Sequence, residues 1–156
     1  MKKILYIDMD NVLVDFQSGI DAYNAQYPWG YLYADRWDEC DKVFEMMQPM
    51  PGAVEAFGRL SQLFDTYILS TAPWKNPTAW MHKREWVERH LGEAAHKRLI
   101  LSHHKHLNKG HYLIDDRTAN GADRFEGILV QFGTAGLENW EKVMVRMEGE
   151  VVETNV

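Results

Sequence analysis

Residues 3–16 read KILYIDMDNVLVDF. The apolar run that begins at Ile4 stops at two carboxylates one residue apart, Asp8 and Asp10, and a second apolar patch follows at once. A strand buried on both faces, as in a parallel sheet, reads as a near-continuous apolar run. Ile4 to Asp8 is therefore expected to be a central strand with acids at its carboxyl end. Few architectures accept such a strand, because both faces of its sheet must be covered. In open α/β sheets, ligands collect beyond the carboxyl ends of the strands.

The rest of the chain alternates in the same sense. Strands are expected at Thr66–Thr71, Arg98–Leu101, His111–Asp115 and Ile128–Phe132. Helices are expected over 15–27, over 35–47, from Pro51-Gly52 to about Leu63, from Thr78 to Leu91 ahead of Gly92, and from Leu137 to Met147. The tail VVETNV at 151–156 is expected to fray or to add an edge strand. Strands alternating with helices imply a doubly wound parallel α/β sheet of five strands, with helices on both faces. Three of the strand ends then carry hydroxyl or carboxylate groups: Asp8, Ser70-Thr71 and Asp115-Asp116.

Composition narrows the partners. The chain of 156 residues suits one domain with a real core and room for a small insert. A single cysteine, Cys40, excludes an internal disulfide and a cysteine-built zinc site, and it reads as a small buried hydrophobe. A net charge of −6 without a basic tract argues against polymeric nucleic acid, whose binding rests on phosphate neutralisation. The N-terminal apolar run is too short for a bilayer and is broken by Asp8 and Asp10, so a cytoplasmic protein with no membrane contact is expected.

Facing carboxylates repel unless a cation lies between them. Mg²⁺ is a hard ion that takes one or two carboxylates together with phosphate oxygens and water. Asp8 with Asp115 or Asp116 could form such a site. An aspartate can also attack phosphorus to form an acyl phosphate. The departing alkoxide then needs a proton and the incoming water a base, and one carboxyl group can serve both in turn. Thr71 would hydrogen-bond a phosphoryl oxygen, and a lysine would neutralise the developing charge.

Three stretches, DMDNVLVDF at 8–16, PGAVEAF at 51–57 and LIDDR at 113–117, together with the spacing of MHKREWVERHLG at 81–92 and of Lys105, carry a family resemblance. In this order the chain resembles the haloacid dehalogenase (HAD) superfamily of phosphatases, and within it the 5′(3′)-deoxyribonucleotidases. The resemblance implies a Mg²⁺-dependent phosphomonoesterase acting on nucleoside monophosphates, preferentially deoxyribonucleotides. It implies the strand order 5-4-1-2-3, a core of residues 1–15 and 49–156, and a small helical cap at 16–48. It further implies Asp8 as nucleophile and Asp10 as acid and base. Asp8, the Asp10 carbonyl and one of Asp115 or Asp116 would hold Mg²⁺. Thr71, with Ser70 beside it, would bind phosphate. Lys83 would be the catalytic lysine and Lys105 a second phosphate contact. Relatives often place Gly after the second aspartate; Asn11 stands here, and Asn tolerates left-handed backbone.

Several residues keep a plainer alternative. At helical spacing Lys83 and Arg84 flank the stripe Trp80, Val87 and Leu91 on opposite sides, and periodicity does not choose between them. His103, His104 and His106 read as a solvated turn rather than a metal site. Eight of the nineteen aromatics lie in residues 16–44: Phe16, Tyr23, Tyr27, Trp29, Tyr31, Tyr33, Trp37 and Phe44. They either build the core of the insert or stack on a planar base, with Phe16 and Trp37 as the candidates. A phosphate-accepting receiver module uses similar groups, but carries its acidic pair early and its acceptor mid-chain. A phosphatase for a sugar phosphate or other small metabolite stays open, as does a homodimer.

Overall fold

The computed structural model describes residues 1–152. Five parallel strands form the main sheet: β1 (Ile4–Ile7), β2 (Asp65–Ser70), β3 (Leu99–Leu101), β4 (Tyr112–Asp115) and β5 (Ile128–Gln131). Counted in chain order they lie β5-β4-β1-β2-β3, the order the resemblance implies. β1 is central. Its Ile7 is in register with Ile68 of β2 and with Ile114 of β4. The Asp8 amide extends this pairing by donating to the Ile114 carbonyl at 2.9 Å, which sets Asp8 beside Asp115.

Alternation along the strands divides the core. Leu5, Ile7, Ile68, Ile114 and Val130 pack with residues of α2 (Ala53–Leu63), α3 (Pro77–Leu91) and α4 (Trp140–Val152), including Phe57, Leu60, Trp86, Val143 and Met147. Tyr6, Leu69 and Leu113 point the other way, where they meet Ala122 and Phe125. That second face is covered by short 3-10 turns at Lys105–Leu107 and Ala122–Arg124 with their flanking loops, not by the α-helices expected there. The connections on either side of β4 span 102–111 and 116–127, at the lower limit for a crossover that includes a helix. Phe125 supplies the bulk instead, its ring set edge-on to Tyr6 at 6.0 Å.

After Asp8 the chain turns tightly. The Met9 carbonyl accepts from the amides of Val12, Leu13 and Val14, and Asn11 sits in the left-handed region at φ 60°. Val14–Asp15 then pairs antiparallel with Gln48–Pro49. This two-residue ribbon brackets the insert. α1 (Phe16–Gln26) begins with the Asp15 carboxylate accepting from the Ser18 amide, and it ends just before Pro28. Its Gly19 lets the helix lie directly on Val43 and Met47, where a Cβ would come within 2.7 Å of the Val43 carbonyl oxygen.

The helix expected over 35–47 does not form. In its place are 3-10 turns at Trp37–Glu39 and Val43–Met46, preceded by another at Gly30–Tyr33. The cause is tertiary. Asn76 Nδ2 donates to the carbonyls of Asp38 and Cys40, and Thr78 Oγ1 donates to that of Asp41, so acceptors that an α-helix would use are taken by the start of α3. The insert shares one continuous apolar core with the sheet layer, through Tyr23, Cys40, Val43, Phe44 and Met47. The closing helix runs over Trp140–Val152 rather than 137–147. It therefore absorbs the first two residues of the tail, and 153–156 lie outside the described residues.

Candidate active site

Four carboxylates and two lysines converge at the carboxyl end of β1 and its neighbours. One oxygen from each of Asp8, Asp115 and Asp116 lies within 4.8 Å of the others. Lys105, buried at the start of its 3-10 turn, donates to Asp8 Oδ1 at 3.0 Å and to Asp115 Oδ2 at 2.5 Å. The other Asp115 oxygen accepts from the Arg117 amide at 3.0 Å. Both Asp115 oxygens are thus engaged, whereas Asp116 Oδ1 is buried without a hydrogen-bond partner.

The electrostatics follow from this crowding. Burial raises the Asp8 carboxyl above the usual range, opposed by the Lys105 charge and reinforced by that of Asp115. Burial, then the charges of Asp8 and Asp115, push Asp116 up to about 7. For Lys105 burial acts downward, but the two carboxylates outweigh it and hold the ammonium above its ordinary value. A divalent cation would relieve this repulsion. All-oxygen donors, three carboxylates in reach of one point and an unpartnered buried oxygen fit a hard ion such as Mg²⁺.

A second pair stands beside the first. Lys83, 1% exposed, donates to Asp10 Oδ2 and to Ser70 Oγ, each at 3.0 Å, and its ammonium lies 4.9 Å from the centre of the Phe44 ring. Arg84 is exposed and pairs with Glu88 at 2.6 Å, so the ambiguity of the helical stripe resolves to Lys83. Thr71 Oγ1 donates to the Ser102 carbonyl at 2.8 Å, tying the loops after β2 and β3.

A cavity of about 350 Å³ opens over these groups. Asp10 and Asn11 line it from the loop after β1, Thr71 and Pro73 from the loop after β2, and Phe16, Asp38 and Phe44 from the insert. Trp37, expected at a base, is not among its lining residues. Its ring packs with Tyr23 at 5.6 Å and Tyr33 at 5.9 Å inside the insert, which is the packing alternative. Arg117 and Asn120 complete the lining. Arg117 was within reach of sequence reading, since it closes the LIDDR stretch; nothing in the local pattern singles out Asn120 or Asp38. His103, His104 and His106 do not gather around a carboxylate, and among the described residues only the three-aspartate cluster could hold a metal ion.

A five-stranded parallel sheet in this order, with aspartates after its first and fourth strands and lysines held against them, defines a phosphatase of the haloacid dehalogenase superfamily. The fold is shared with the magnesium-bound HAD-hydrolase YfnB of Bacillus subtilis (TM-score 0.63, 14% identity, 94% of this chain and 98% of that one). It is shared also with the L-2-haloacid dehalogenase of Xanthobacter autotrophicus (TM-score 0.52, 13% identity, 85% and 78%). The chain belongs to the family described as 5′ nucleotidase, deoxy (pyrimidine), cytosolic type C protein, which matches residues 28–143. A protein of Vibrio phage KVP40 assigned as a 5′(3′)-deoxyribonucleotidase is 57% identical over 96% of this chain and 86% of its own length. The human 5′(3′)-deoxyribonucleotidase of cytosolic type is 31% identical over 71% of this chain and 69% of its own. No helix among the described residues is long and apolar enough to cross a membrane.

Proposed function

We propose that this chain hydrolyses deoxyribonucleoside monophosphates to nucleoside and phosphate, with Asp8 as nucleophile. The supporting observation is the convergence of Asp8, Asp115 and Asp116 within 4.8 Å, with Asp10 held by Lys83 at 3.0 Å beside them. The names of the phage and human relatives supply the substrate class, and the negative net charge favours a monomeric nucleotide over a polymer.

Asp8, Asp116 and the Asp10 carbonyl are the groups that would hold Mg²⁺, because Asp115 spends both oxygens on Lys105 and the Arg117 amide. When bound, the ion would neutralise charge on the phosphoryl oxygens and set the phosphorus before Asp8. An Asp8 oxygen attacks phosphorus; the bond to the ester oxygen breaks, and its electron pair leaves with that oxygen. Asp10 in its acid form protonates the departing alkoxide. The resulting Asp10 carboxylate takes a proton from water, whose oxygen attacks the phosphorus of the acyl phosphate. The Asp8–phosphorus bond breaks, returning the carboxylate and releasing inorganic phosphate. Lys105, on Asp8, offsets charge at the nucleophile in both steps, and Lys83 orients Asp10. Thr71 and Arg117 are placed in this reading on the phosphoryl oxygens, and Ser70 anchors Lys83. Residues 16–48 act as the cap, since Phe16, Asp38 and Phe44 roof the cavity.

Phosphate release measured across deoxyribonucleotides, ribonucleotides and sugar phosphates, with and without Mg²⁺, tests the proposal. Deoxyribonucleotides should lead the panel, chelator should abolish turnover, and Asp8→Asn should fold yet lose activity. Undiminished rates in Asp8→Asn exclude the covalent route.

A further inference from the structure

His82 on α3 is buried and takes no part in the chemistry above. Its Nδ1 is enclosed without a hydrogen-bond partner. Its Nε2 lies 3.3 Å from Glu45 Oε2, on the 3-10 turn Val43–Met46 of the insert, and the Glu45 side chain is 42% exposed. Burying an imidazole with one nitrogen unsatisfied costs stability that an apolar side chain of similar size would not. The imidazole stands where its other nitrogen meets the insert.

Two consecutive residues of that turn face two consecutive residues of α3. Glu45 meets His82, and the Phe44 ring lies 4.9 Å from the Lys83 ammonium. One helical turn further on, Trp86 Nε1 donates to the Met47 carbonyl at 3.0 Å. Residues 82 and 86 share a face of α3, so they hold the insert just after Phe44 at two successive levels of the helix. Lys83 itself donates to Asp10 Oδ2 and Ser70 Oγ, each at 3.0 Å. Its ammonium is therefore fixed by two acceptors from the sheet and by one ring from the insert. A charge contact with one partner half in water adds little to stability. What it does set is where Phe44 sits.

We propose that His82 and Glu45 are positioning residues: their contact seats Phe44 over Lys83 and so keeps the Lys83 ammonium on Asp10. The inference rests on the phosphatase reading above and adds how the insert reaches the acid–base group.

The test is Glu45→Ala, read on two substrates. Thymidine 5′-monophosphate releases an alkoxide that needs the Asp10 proton, whereas p-nitrophenolate departs with little help. In Glu45→Ala, kcat/KM for the nucleotide should fall about tenfold, short of the ~100-fold that a 1 Å misplacement can cause, and kcat/KM for p-nitrophenyl phosphate should fall far less. His82→Leu should behave alike, and His82→Gln, whose amide nitrogen replaces Nε2, should recover most of the loss. In a Lys83→Met background Glu45→Ala should cost almost nothing more, because both act through one group. The melting temperature of Glu45→Ala should stay within about 4 °C of wild type. Hydrogen exchange gives a readout independent of turnover: the amides of 43–47 should exchange faster in Glu45→Ala and those of α2 should not. Near-wild-type kinetics in Glu45→Ala, or equal losses on the two substrates, overturns the inference while leaving the phosphatase reading intact. Wild-type protein that turns over neither substrate, with exchange at 43–47 still responding to Glu45→Ala, refutes the phosphatase reading and leaves the contact between Glu45 and His82 as what seats the turn.

Discussion

Lys105 Nζ donates to Asp8 Oδ1 at 3.0 Å in a site where both side chains are almost fully buried. The same ammonium reaches Asp115, so one cation holds two carboxylates that would otherwise repel. Lys105→Met is expected to cut kcat/KM by about 100-fold or more, the usual effect of losing one preorganised charge stabiliser. It should also lower metal-free stability by about 3 kcal/mol or more, because two buried carboxylates lose their partner. Saturating Mg²⁺ should restore part of the stability and little of the rate. Steady-state kinetics and thermal melts in chelator and in Mg²⁺ check both, and near-wild-type turnover would remove Lys105 from the mechanism.

Lys83 makes a different prediction because its partner is Asp10. If Asp10 protonates the leaving group, weakening its support matters less when that group departs easily. Lys83→Met and Asp10→Asn should both lower kcat/KM more for a nucleotide than for p-nitrophenyl phosphate. The quantity to compare is kcat/KM, since it reports the first chemical step and is free of the later hydrolysis of the acyl phosphate. Equal losses on the two substrates would make Lys83 a phosphate contact and not an Asp10 orienter.

What could be read from sequence divides by physical cause. A parallel strand buried on both faces leaves an apolar run whatever surrounds it, so Ile4–Ile7 and Tyr112–Asp115 and the acids that follow them were visible. The choice between Lys83 and Arg84 was not, since both flank the apolar stripe of α3. It is settled by Ser70 and Asp10, which lie on distant segments. The stretch 35–47 misled because its carbonyls are captured by Asn76 and Thr78, more than 30 residues away. Trp37 misled for a related reason: an aromatic near a site is equally suited to packing, and only its contacts with Tyr23 and Tyr33 distinguish the roles.

The crowded acids also predict how stability changes with pH. Asp116 is raised to about 7 in the folded chain from an ordinary 3.8. Between those values the folded state binds the proton that the unfolded state has released. The stability associated with that proton is complete below the lower value and is lost as pH rises through the upper one. In chelator, the melting temperature of wild-type protein relative to Asp116→Asn should therefore fall between pH 5 and pH 8. Comparing with the variant cancels titrations common to both, including that of His90. Saturating Mg²⁺ should flatten the difference, because binding a cation displaces the proton. A difference independent of pH in chelator would show that the carboxylates do not share their charge as described.

Trp86 predicts how the insert is joined to the sheet layer. It lies on α3, is 1% exposed, and donates from Nε1 to the Met47 carbonyl at 3.0 Å, at the point where the insert returns to the ribbon. Trp86→Phe keeps an aromatic ring but leaves that carbonyl unpaired, a loss of about 1–3 kcal/mol. For a chain of this size the melting temperature should fall by roughly 2–4 °C per kcal/mol. Since Val43, Phe44 and Met47 belong to the same apolar cluster as Ile7 and Trp86, the insert and the sheet should unfold together in both proteins. Far-ultraviolet circular dichroism and tryptophan fluorescence should give coincident transitions. Two separated transitions would mean that residues 16–48 melt as a unit of their own and that Trp86 binds a surface rather than a core.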